Sequence, residues 1–269
     1  MLPARRRSEM AVFIQQNGGV DTDTLARHFG ISVMTARRDL KILEQENMLK
    51  RTWGGAVPPH FLSHEIPYAS KAATMLEAKK AIAAVAAELV QDESCIMLDA
   101  GTTTLELADL LRGRTVTVIT PDLQIALLLS SSPTVTVYVT GGWIDPLSRS
   151  CNDQSAVDYL SQLSVTQAFI GTNVWDAKHG ATTSSTAKMR VKRQMIACAE
   201  QAVLLADSSK FGTFSTWAVG ELADFSCIIS DSGLPRKSRE SIATAEGVLR
   251  LASFVPEPES TVSKRAEMP

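Results

Sequence analysis

The chain has 269 residues, of which 45 % are hydrophobic and 21 % are charged, and its formal net charge is −2. This length favours two domains over one, and the apolar content is sufficient for ordinary globular cores. No apolar run is long enough to span a bilayer and no signal-peptide pattern follows the N-terminus, so we expect a cytoplasmic protein with no membrane partner.

Four cysteines are spread along the chain: Cys95, Cys151, Cys198 and Cys227. They form no CxxC pair, and no histidine lies near them at metal-ligand spacing. This pattern is typical of reduced, mostly buried thiols. We therefore expect no structural zinc or other metal site, and no cofactor.

The charge is unevenly distributed along the chain. Residues 1–57 carry nine Lys and Arg against six Asp and Glu, a net +3, whereas the rest carries eighteen against twenty-three, a net −5. A basic N-terminal part favours contacts with nucleic-acid phosphates. The basic side chains expected to converge on such phosphates are Arg5, Arg6, Arg7, Arg37, Arg38, Lys50 and Arg51.

Three helices are predicted at the N-terminal end. The first spans residues 4–16 and stops where glycines interrupt the pattern, and the second spans residues 22–29. Gly30 can adopt the left-handed conformation that ends a helix, and Ser32 can cap the next one almost at once. Two helices joined this tightly must cross steeply.

The third predicted helix combines an apolar stripe with a polar ridge. Its apolar residues recur at three- and four-residue spacing: Val33, Ala36, Leu40 and Leu43. The opposite face carries Met34, Arg38 and Lys41, with Thr35 and Arg37 beside them. On an isolated helix such a face is most often simply solvated. The tight turn before it favours instead a helix-turn-helix whose second helix enters the DNA major groove.

Residues 48–57 alternate apolar and polar side chains and then place two glycines, as a β-wing does. The prolines that follow are expected to break any regular structure and indicate a linker over residues 58–70, so the predicted DNA-binding domain spans residues 1–57. We expect its partner to be a double-stranded DNA operator. The residues predicted to contact DNA are Ser32, Met34, Thr35, Arg37, Arg38, Lys41, Lys50 and Arg51.

Residues 71–255 have the pattern of an α/β domain. A long amphipathic helix is predicted over residues 71–90. Short β runs follow at residues 96–99, 116–120, 135–140, 168–171, 202–206 and 226–230, mostly separated by helical stretches. This alternation predicts an open, largely parallel sheet, in which ligands bind beyond the carboxyl ends of strands. Residues 256–269 are predicted to be a disordered tail.

The residues after the first of these strands have the composition of an anion-binding loop. Asp99 and Gly101 lead into three threonines, Thr102, Thr103 and Thr104, at the start of a helix. Free backbone N–H groups and the positive end of the helix dipole favour a phosphate there. An ordinary threonine-capped turn explains this loop alone equally well.

Residues after the other strands favour the phosphate interpretation. Lys210 can neutralise a phosphate, while Asp207 and Asp99 can accept hydrogen bonds from sugar hydroxyls. Gly141 and Gly142 would leave room for a ligand against bare backbone. Lys192 could add a second positive charge, although a solvated helix lysine is the more common outcome. A surface turn accounts for the Asp207 segment equally well. The predicted ligand-binding residues are Asp99, Gly101, Thr102, Thr103, Thr104, Gly141, Gly142, Lys192, Asp207 and Lys210.

Four motifs of the chain are Ser-Val-Met-Thr-Ala-Arg-Arg-Asp-Leu, Trp-Gly-Gly-Ala, Leu-Asp-Ala-Gly-Thr-Thr-Thr and Ala-Asp-Ser-Ser-Lys-Phe-Gly. Through these motifs the chain resembles the DeoR family of bacterial transcriptional regulators over residues 4–255. The resemblance implies a winged helix-turn-helix repressor of a carbohydrate catabolic operon. It also implies an α/β sensor domain, similar in fold to sugar-phosphate isomerases, that binds a phosphorylated sugar or sugar-acid inducer. We further expect a homo-oligomer.

The resemblance also implies roles for single residues of this chain. Residues 99 and 101–104 match the family's phosphate loop, and Lys210 matches its ligand-side lysine. One departure concerns the second strand, after which the family commonly has Val-Thr-Asn. Here Pro121 and Asp122 follow Thr120, which removes an amide side chain and can add a negative charge.

Two rival classes are weighed against a regulator. A sugar-phosphate isomerase with an appended DNA-binding domain could use Asp99 or Asp207 as a general base. The paired acidic residues that such an enzyme would need after the strand at 168–171 are absent, so no catalytic residue is predicted. A ligand-free architectural DNA binder would not require a non-basic domain of roughly 200 residues.

Overall fold

The computed structural model describes residues 2–17, 19–46, 48–52, 54–58 and 61–253. The predicted tail at 256–269 lies outside these residues. The N-terminal part contains three helices, α1 (Pro3–Asn17), α2 (Thr22–His28) and α3 (Val33–Gln45), and three strands, β1 (Val20–Asp21), β2 (Lys50–Arg51) and β3 (Gly55–Val57). The strands form one antiparallel sheet in the order β1-β3-β2.

The helix-turn-helix forms because each of its helices has a local start signal. Asp21 accepts the N–H of Thr24 at 2.8 Å and caps α2, and Ser32 accepts the N–H of Thr35 at 3.1 Å and caps α3. Gly30 lies between the helices with a φ of +61°. The three predicted helices and the wing are therefore confirmed. Their shared core contains Met10, Ile14, Leu25, Leu40 and Leu43.

The predicted linker contains regular structure. Strand β4 (Phe61–Leu62) pairs in parallel with Phe214–Ser215 of the second domain, and helix α4 (Tyr68–Ala72) follows. The expectation that residues 58–70 lack regular structure is therefore wrong. Pairing with the second domain supplies hydrogen bonds that the segment could not supply for itself.

The predicted continuous helix over residues 71–90 is also wrong. Helix α5 (Leu76–Ala87) is separated from α4 by Met75, which has a left-handed φ of +52°. The break lets Lys79, 1 % exposed, donate to the carbonyls of Thr74, at 2.5 Å, and Lys71. These carbonyls at the end of α4 are thus satisfied by a side chain.

The second domain is built around a seven-stranded sheet. Its strands and the shorter strands around it are β5 (Cys95–Leu98), β6 (Val116–Thr120), β7 (Val135–Val139), β8 (Ile144–Asp145), β9 (Ser150–Cys151), β10 (Val165–Gly171), β11 (Val174–Asp176), β12 (Gly180–Thr183), β13 (Ala199–Leu205), β14 (Phe214–Ser215), β15 (Trp217–Gly220), β16 (Cys227–Asp231) and β17 (Leu249–Ala252). The helices are α6 (Thr102–Leu110), α7 (Leu123–Leu129), α8 (Gln154–Leu160), α9 (Thr186–Ala197) and α10 (Arg236–Thr244), with short 3-10 helices at Ser208–Lys210 and Leu222–Asp224.

The large sheet is parallel throughout and has the order β17-β16-β13-β10-β5-β6-β7. Alternate side chains enter different cores, since Ile96 and Leu98 pack on one face and Met97 on the other. The predicted parallel sheet is confirmed. Strand β17 and the antiparallel sheet β11-β12-β15 were not predicted. Within the described residues, no helix has the length and apolarity needed to cross a membrane.

Candidate functional site

Helix α3 presents a basic ridge on the surface of the N-terminal domain. Arg37, Arg38 and Lys41 are exposed, and Met34 is 71 % exposed. The wing residue Arg51 lies beside them. Together with Thr35, it lines the same shallow cleft as the four residues just named. The fold therefore brings the predicted ridge and the wing together on one face.

Local hydrogen bonds hold this face in shape. The backbone N–H of Arg51 donates to Glu44 Oε1 at 2.9 Å, so the wing is fastened to α3. The hydroxyls of Ser32 and Thr35 are 2.8 Å apart, and both belong to the capped first turn. Lys50 is exposed on the same strand as Arg51. DNA contact by these residues stays a prediction.

Arg6 is paired with a carboxylate inside the N-terminal domain. Its Nε donates to Asp39 Oδ2 at 2.7 Å, with side-chain exposures of 15 % and 4 %. The hydrogen bond from Arg6 to Asp39 raises the pKa of the Arg6 guanidinium. Arg6 thus neutralises a carboxylate buried on α3, and the expectation that it converges on DNA phosphates stays a prediction. Arg5 likewise pairs on its own helix, with Glu9 at 2.8 Å.

A second cluster lies beyond the carboxyl ends of β5 and β10, as parallel sheets predict. We call it the strand-end pocket. Seven of the ten predicted ligand-binding residues line it: Asp99, Gly101, Thr102, Thr103, Thr104, Lys192 and Lys210. The other lining residues are Glu65, Lys71, Ala100, Ser148, Ser150, Asn152, Gly171, Thr172, Asn173, Thr182, Thr183 and Lys188.

The start of α6 forms one wall of the strand-end pocket. The N–H of Leu105 donates to the carbonyl of Gly101 at 3.0 Å, so the preceding threonine N–H groups have no partner within the helix. The hydroxyl of Thr103, a residue only 3 % exposed, has no hydrogen-bond partner among the described residues. A buried polar atom left unpaired in a pocket is suited to a ligand atom. An anion at a helix N-terminus would meet both groups.

Asp122 changes the chemistry of this loop. It is fully buried and accepts the N–H groups of Gly101 at 3.1 Å, Gln124 at 2.7 Å and Ile125 at 3.2 Å. Burial raises the pKa of Asp122 to about 6, although these hydrogen bonds oppose the shift. The carboxylate of Asp122 caps α7 and also accepts a hydrogen bond from the N–H of Gly101. The departure seen in the sequence thus shapes the loop without lining the pocket.

Lys192 and Asp99 form a buried ion pair in the strand-end pocket. Lys192 Nζ contacts Asp99 Oδ2 and donates to the carbonyl of Gly171 at 2.8 Å. The same Asp99 oxygen accepts the N–H of Gly171 at 2.9 Å. Lys192 is only 9 % exposed, so the alternative of a solvated helix lysine is wrong. Asp99 orients this lysine.

Sequence reasoning missed Glu65, Lys71 and Lys188. Lys188 Nζ lies 2.9 Å from Glu65 Oε1, and Lys71 Nζ lies 3.2 Å from it. Burial lowers the pKa of Lys71, partly opposed by the charge of Glu65. Lys188 stands one turn before Lys192 on α9, a spacing that could have revealed it. Nothing local to the linker indicated Glu65.

The lining of the strand-end pocket carries excess positive charge. Four lysines, at positions 71, 188, 192 and 210, face two carboxylates, at positions 65 and 99. The formal charge of the lining is +2, and Asp145 and Asp207, outside the lining, pair with Lys188 and Lys210. The four ammonium groups therefore have carboxylate partners, and it is their concentration around one pocket that favours an anionic ligand.

Three predicted ligand-binding residues do not line this pocket. Gly142 has a φ of +99°, and an added Cβ would lie 2.0 Å from Asp153 Oδ1. With Gly141, at φ +74°, it forms a turn closed by the bond from the Trp143 N–H to Asp153 Oδ2, 2.8 Å long. Both glycines therefore serve the turn and do not make room for a ligand.

Asp207, the third of these residues, also lies outside the lining of the strand-end pocket. It is 1 % exposed, accepts the N–H of Ser209 at 3.2 Å and lies 3.4 Å from Lys210 Nζ. It lines an adjoining crevice beneath α1 and not the strand-end pocket. Its carboxylate holds Lys210, which does reach the pocket.

The cysteines and other potential metal ligands are dispersed. All four cysteines are free thiols, with Cys151 and Cys227 buried and Cys95 and Cys198 half-buried. Across the described residues, no group of three or more His, Cys, Asp or Glu side chains is placed to hold a metal ion.

Comparison with known proteins gives consistent matches over both domains. A family model described as the DeoR C terminal sensor domain matches residues 74–232, and one described as the DeoR-like helix-turn-helix domain matches residues 6–60. The HTH-type transcriptional regulator YgbI of Escherichia coli is 36 % identical over 253 residues, covering 94 % of this chain and 99 % of that protein. The HTH-type transcriptional repressor GlcR of Bacillus subtilis is 34 % identical, covering 88 % and 91 %. A solved ribose 5-phosphate isomerase A of Methanocaldococcus jannaschii is 18 % identical, covering 50 % and 53 %, with a TM-score of 0.38.

Proposed function

Because the chain belongs to the DeoR family of transcriptional regulators, we propose that it represses a carbohydrate catabolic operon and is released by a phosphorylated sugar or sugar acid bound in the strand-end pocket. Family membership confirms the predicted class, a DNA-binding regulator and not an enzyme. The observation that carries the ligand assignment is that four lysines line the same pocket as the start of α6, where the hydroxyl of Thr103 is buried without a partner among the described residues.

The pocket favours an anion joined to a polyol. The free N–H groups of α6 and the hydroxyl of Thr103 suit phosphate oxygens. Hydroxyl and amide side chains suit sugar hydroxyls, and Ser148, Ser150 and Asn152 line the same pocket. These three side chains hydrogen-bond to one another, so a polyol would join an existing network of polar groups.

The DNA side of the proposal rests on α3 and its wing. We propose that α3 enters the major groove and that Lys50 and Arg51 contact phosphates. A homo-oligomer would place two such helices on two half-sites, so the operator should be an inverted repeat. In this division, residues 1–57 bind DNA in the cytoplasm, residues 71–255 bind the effector, and residues 58–70 join them.

The test is a screen of phosphorylated sugars and sugar acids against the purified chain. Ligand at a hundred times its dissociation constant should stabilise the folded protein by about 2.7 kcal/mol, which thermal denaturation detects. A stabilising compound should also release the protein from its operator in a DNA-binding titration. Stabilisation by none of these compounds would contradict the proposed effector class, and stabilisation without release would contradict its role as inducer.

A further inference from the structure

The linker residue Glu65 points into the sensor domain. It lies between β4 and α4, in the segment that joins the two domains, yet its side chain is only 9 % exposed. It lines the strand-end pocket and also a crevice bounded by α1 and the end of α3. One residue of the linker therefore borders both the proposed effector site and a crevice of the DNA-binding domain.

The two oxygens of the Glu65 carboxylate have different surroundings. Oε1 accepts hydrogen bonds from Lys188 at 2.9 Å, Lys71 at 3.2 Å and the Asn173 amide at 2.9 Å. Oε2 is buried and has no hydrogen-bond partner among the described residues. A buried acceptor without a donor is costly, and a ligand donor would remove that cost.

The carboxylate of Glu65 is charged. Burial raises its pKa, but the ammonium groups of Lys71 and Lys188 outweigh this effect, and the pKa lies below its ordinary value. An ionised carboxylate only accepts hydrogen bonds and repels another anion. The ligand atom that meets Oε2 must therefore belong to a donor such as a hydroxyl, and not to a phosphate or carboxylate.

The strand-end pocket contains a second buried polar atom without a partner. It is the hydroxyl of Thr103 at the start of α6, among the free N–H groups that suit an anion. The two unpaired atoms thus have different requirements, an anion at α6 and a neutral donor at Glu65.

We propose that Glu65 selects effectors whose end remote from the phosphate is a neutral hydroxyl, which donates to Oε2 and ties the linker to the occupied pocket. This inference rests on the proposed function, because it assumes a phosphorylated polyol in the strand-end pocket. It narrows the effector class to monophosphates of neutral polyols. Bisphosphates and phosphorylated sugar acids would place a second negative charge against Glu65.

The experiment compares two ligand types by calorimetric titration of the full chain. Inorganic phosphate supplies only the anion that suits the α6 end, whereas hexose and pentose monophosphates also carry the hydroxyls proposed to donate to Glu65. Two variants are compared with the parent. Glu65→Gln removes the charge of the side chain. Glu65→Asp keeps the charge but shortens the side chain, which moves the carboxylate oxygens away from the ligand. The readout is the ratio of the affinity for the sugar phosphate to the affinity for inorganic phosphate. A substitution that weakens the binding of both ligands equally leaves this ratio unchanged.

In the parent, at least one monophosphate should bind more tightly than inorganic phosphate. Both variants should lower the affinity ratio for that compound by about tenfold or more, the size expected for a hydrogen bond to a charged group. Glu65→Gln should also raise the affinity for inorganic phosphate, because a negative charge beside Lys71 and Lys188 has gone. The matching bisphosphate should bind the parent more weakly than the monophosphate.

Two outcomes would overturn the inference, and they differ in what they say of the proposed function. If a monophosphate binds the parent but the ratio is unchanged in both variants, Glu65 does not select the effector, and the proposed function stands. If no monophosphate binds the parent more tightly than inorganic phosphate, the proposed function fails together with the inference. A variant that does not fold is recognised by its thermal denaturation, and the other variant then provides the ratio.

Discussion

The buried lysines that line the strand-end pocket are paired with carboxylates, and the pairing determines what each residue can do. Lys192 is held by Asp99, and Lys188 lies within 3.2 Å of both Glu65 and Asp145. A lysine removed from water keeps its charge only when such partners offset the desolvation cost. The carboxylates thus position ammonium groups, and the lysines provide the attraction for an anion.

Asp122 should make stability depend on pH. Its pKa is about 6 in the folded state, above its ordinary value of 3.8, because burial disfavours the charged form. The folded state therefore holds the proton more tightly, and this contribution is present below pH 3.8 and is lost as the pH rises through about 6. Between pH ~4 and ~8, the free energy of unfolding of Asp122→Asn should rise by roughly 1–3 kcal/mol relative to that of the parent, because the variant has no carboxyl group to lose a proton.

Denaturant unfolding of the parent and Asp122→Asn between pH ~4 and ~8 measures this difference. Asp153→Asn is the control with the opposite sign, since the N–H of Trp143 lowers the pKa of Asp153 and its contribution is lost as the pH falls. A constant difference between parent and Asp122→Asn over the whole range would contradict the assigned ionisation.

Two arginines on the DNA-binding face should have different effects. Arg38 lies on α3, and Arg38→Ala should weaken operator binding by roughly 1–3 kcal/mol and relax the preference at one base pair, if it pairs with a guanine. Arg51 lies on the wing, and Arg51→Ala should weaken binding to all sequences alike and make it less steeply dependent on salt. Binding to a set of operator variants at several salt concentrations distinguishes the two. An equal loss of specificity in both variants would argue against the groove assignment.

At the scale of elements, α1 supports α3 through a charge pair as well as through apolar packing. The Arg6–Asp39 pair joins the two helices at a position where Asp39 is 4 % exposed. The apolar core contributes Met10 and Ile14 from α1 and Leu40 from α3. The orientation of the proposed recognition helix therefore depends on its packing against α1.

Removing the acidic partner should destabilise the N-terminal domain. Asp39→Ala should lower its free energy of unfolding by about 1–3 kcal/mol, because a charge-assisted hydrogen bond is lost and Arg6 keeps little access to water. The matched control is Glu9→Ala, which removes an exposed pair on α1 and should cost less than about 0.5 kcal/mol. Hydrogen exchange of α1 and α3 amides measures both. Equal effects of the two variants would show that the buried Arg6–Asp39 pair stabilises the domain no more than the exposed Arg5–Glu9 pair does.

At the scale of the molecule, the two domains contact each other close to the proposed effector site. The side-chain amide of Gln15, on α1, donates to the carbonyl of Phe211 at 2.7 Å. Phe211 follows Lys210, whose side chain lines the strand-end pocket. A ligand that draws Lys210 towards its phosphate therefore acts on a segment bonded to the DNA-binding domain, which gives the two sites a physical connection.

Loss of the Lys210 side chain should make the effector less able to release the protein from its operator. Lys210→Ala should need about tenfold or more effector to release the operator, since a charge-assisted contact to the phosphate is gone. A DNA-binding titration of parent and variant, with and without effector, gives both the operator affinity and the release midpoint. Lys178→Ala, at an exposed turn, is the matched control. Release of Lys210→Ala at the parent's effector concentration would show that Lys210 does not bind the effector.

The sequence by itself determined the features that depend on neighbouring residues. Capping residues, helical periodicity and the left-handed glycine act within a few positions, so the helix-turn-helix and its basic ridge were predictable. The threonine loop was also predictable, because its hydroxyls and the N–H groups of α6 come from one contiguous segment. Most strands of the large sheet were evident as short apolar runs, since parallel strands are buried on both faces.

Only the tertiary structure decided which strand ends share a site. Strand β7 lies at the edge of the sheet, separated from β5 by β6, so the glycines after it lie away from the pocket. Strands β5 and β10 are neighbours in space although about 70 residues separate their ends. Strand order arises from packing over the whole domain, and no local pattern encodes it. For the same reason the linker residue Glu65 could be placed in the sensor pocket only once β4 was seen to pair with β14.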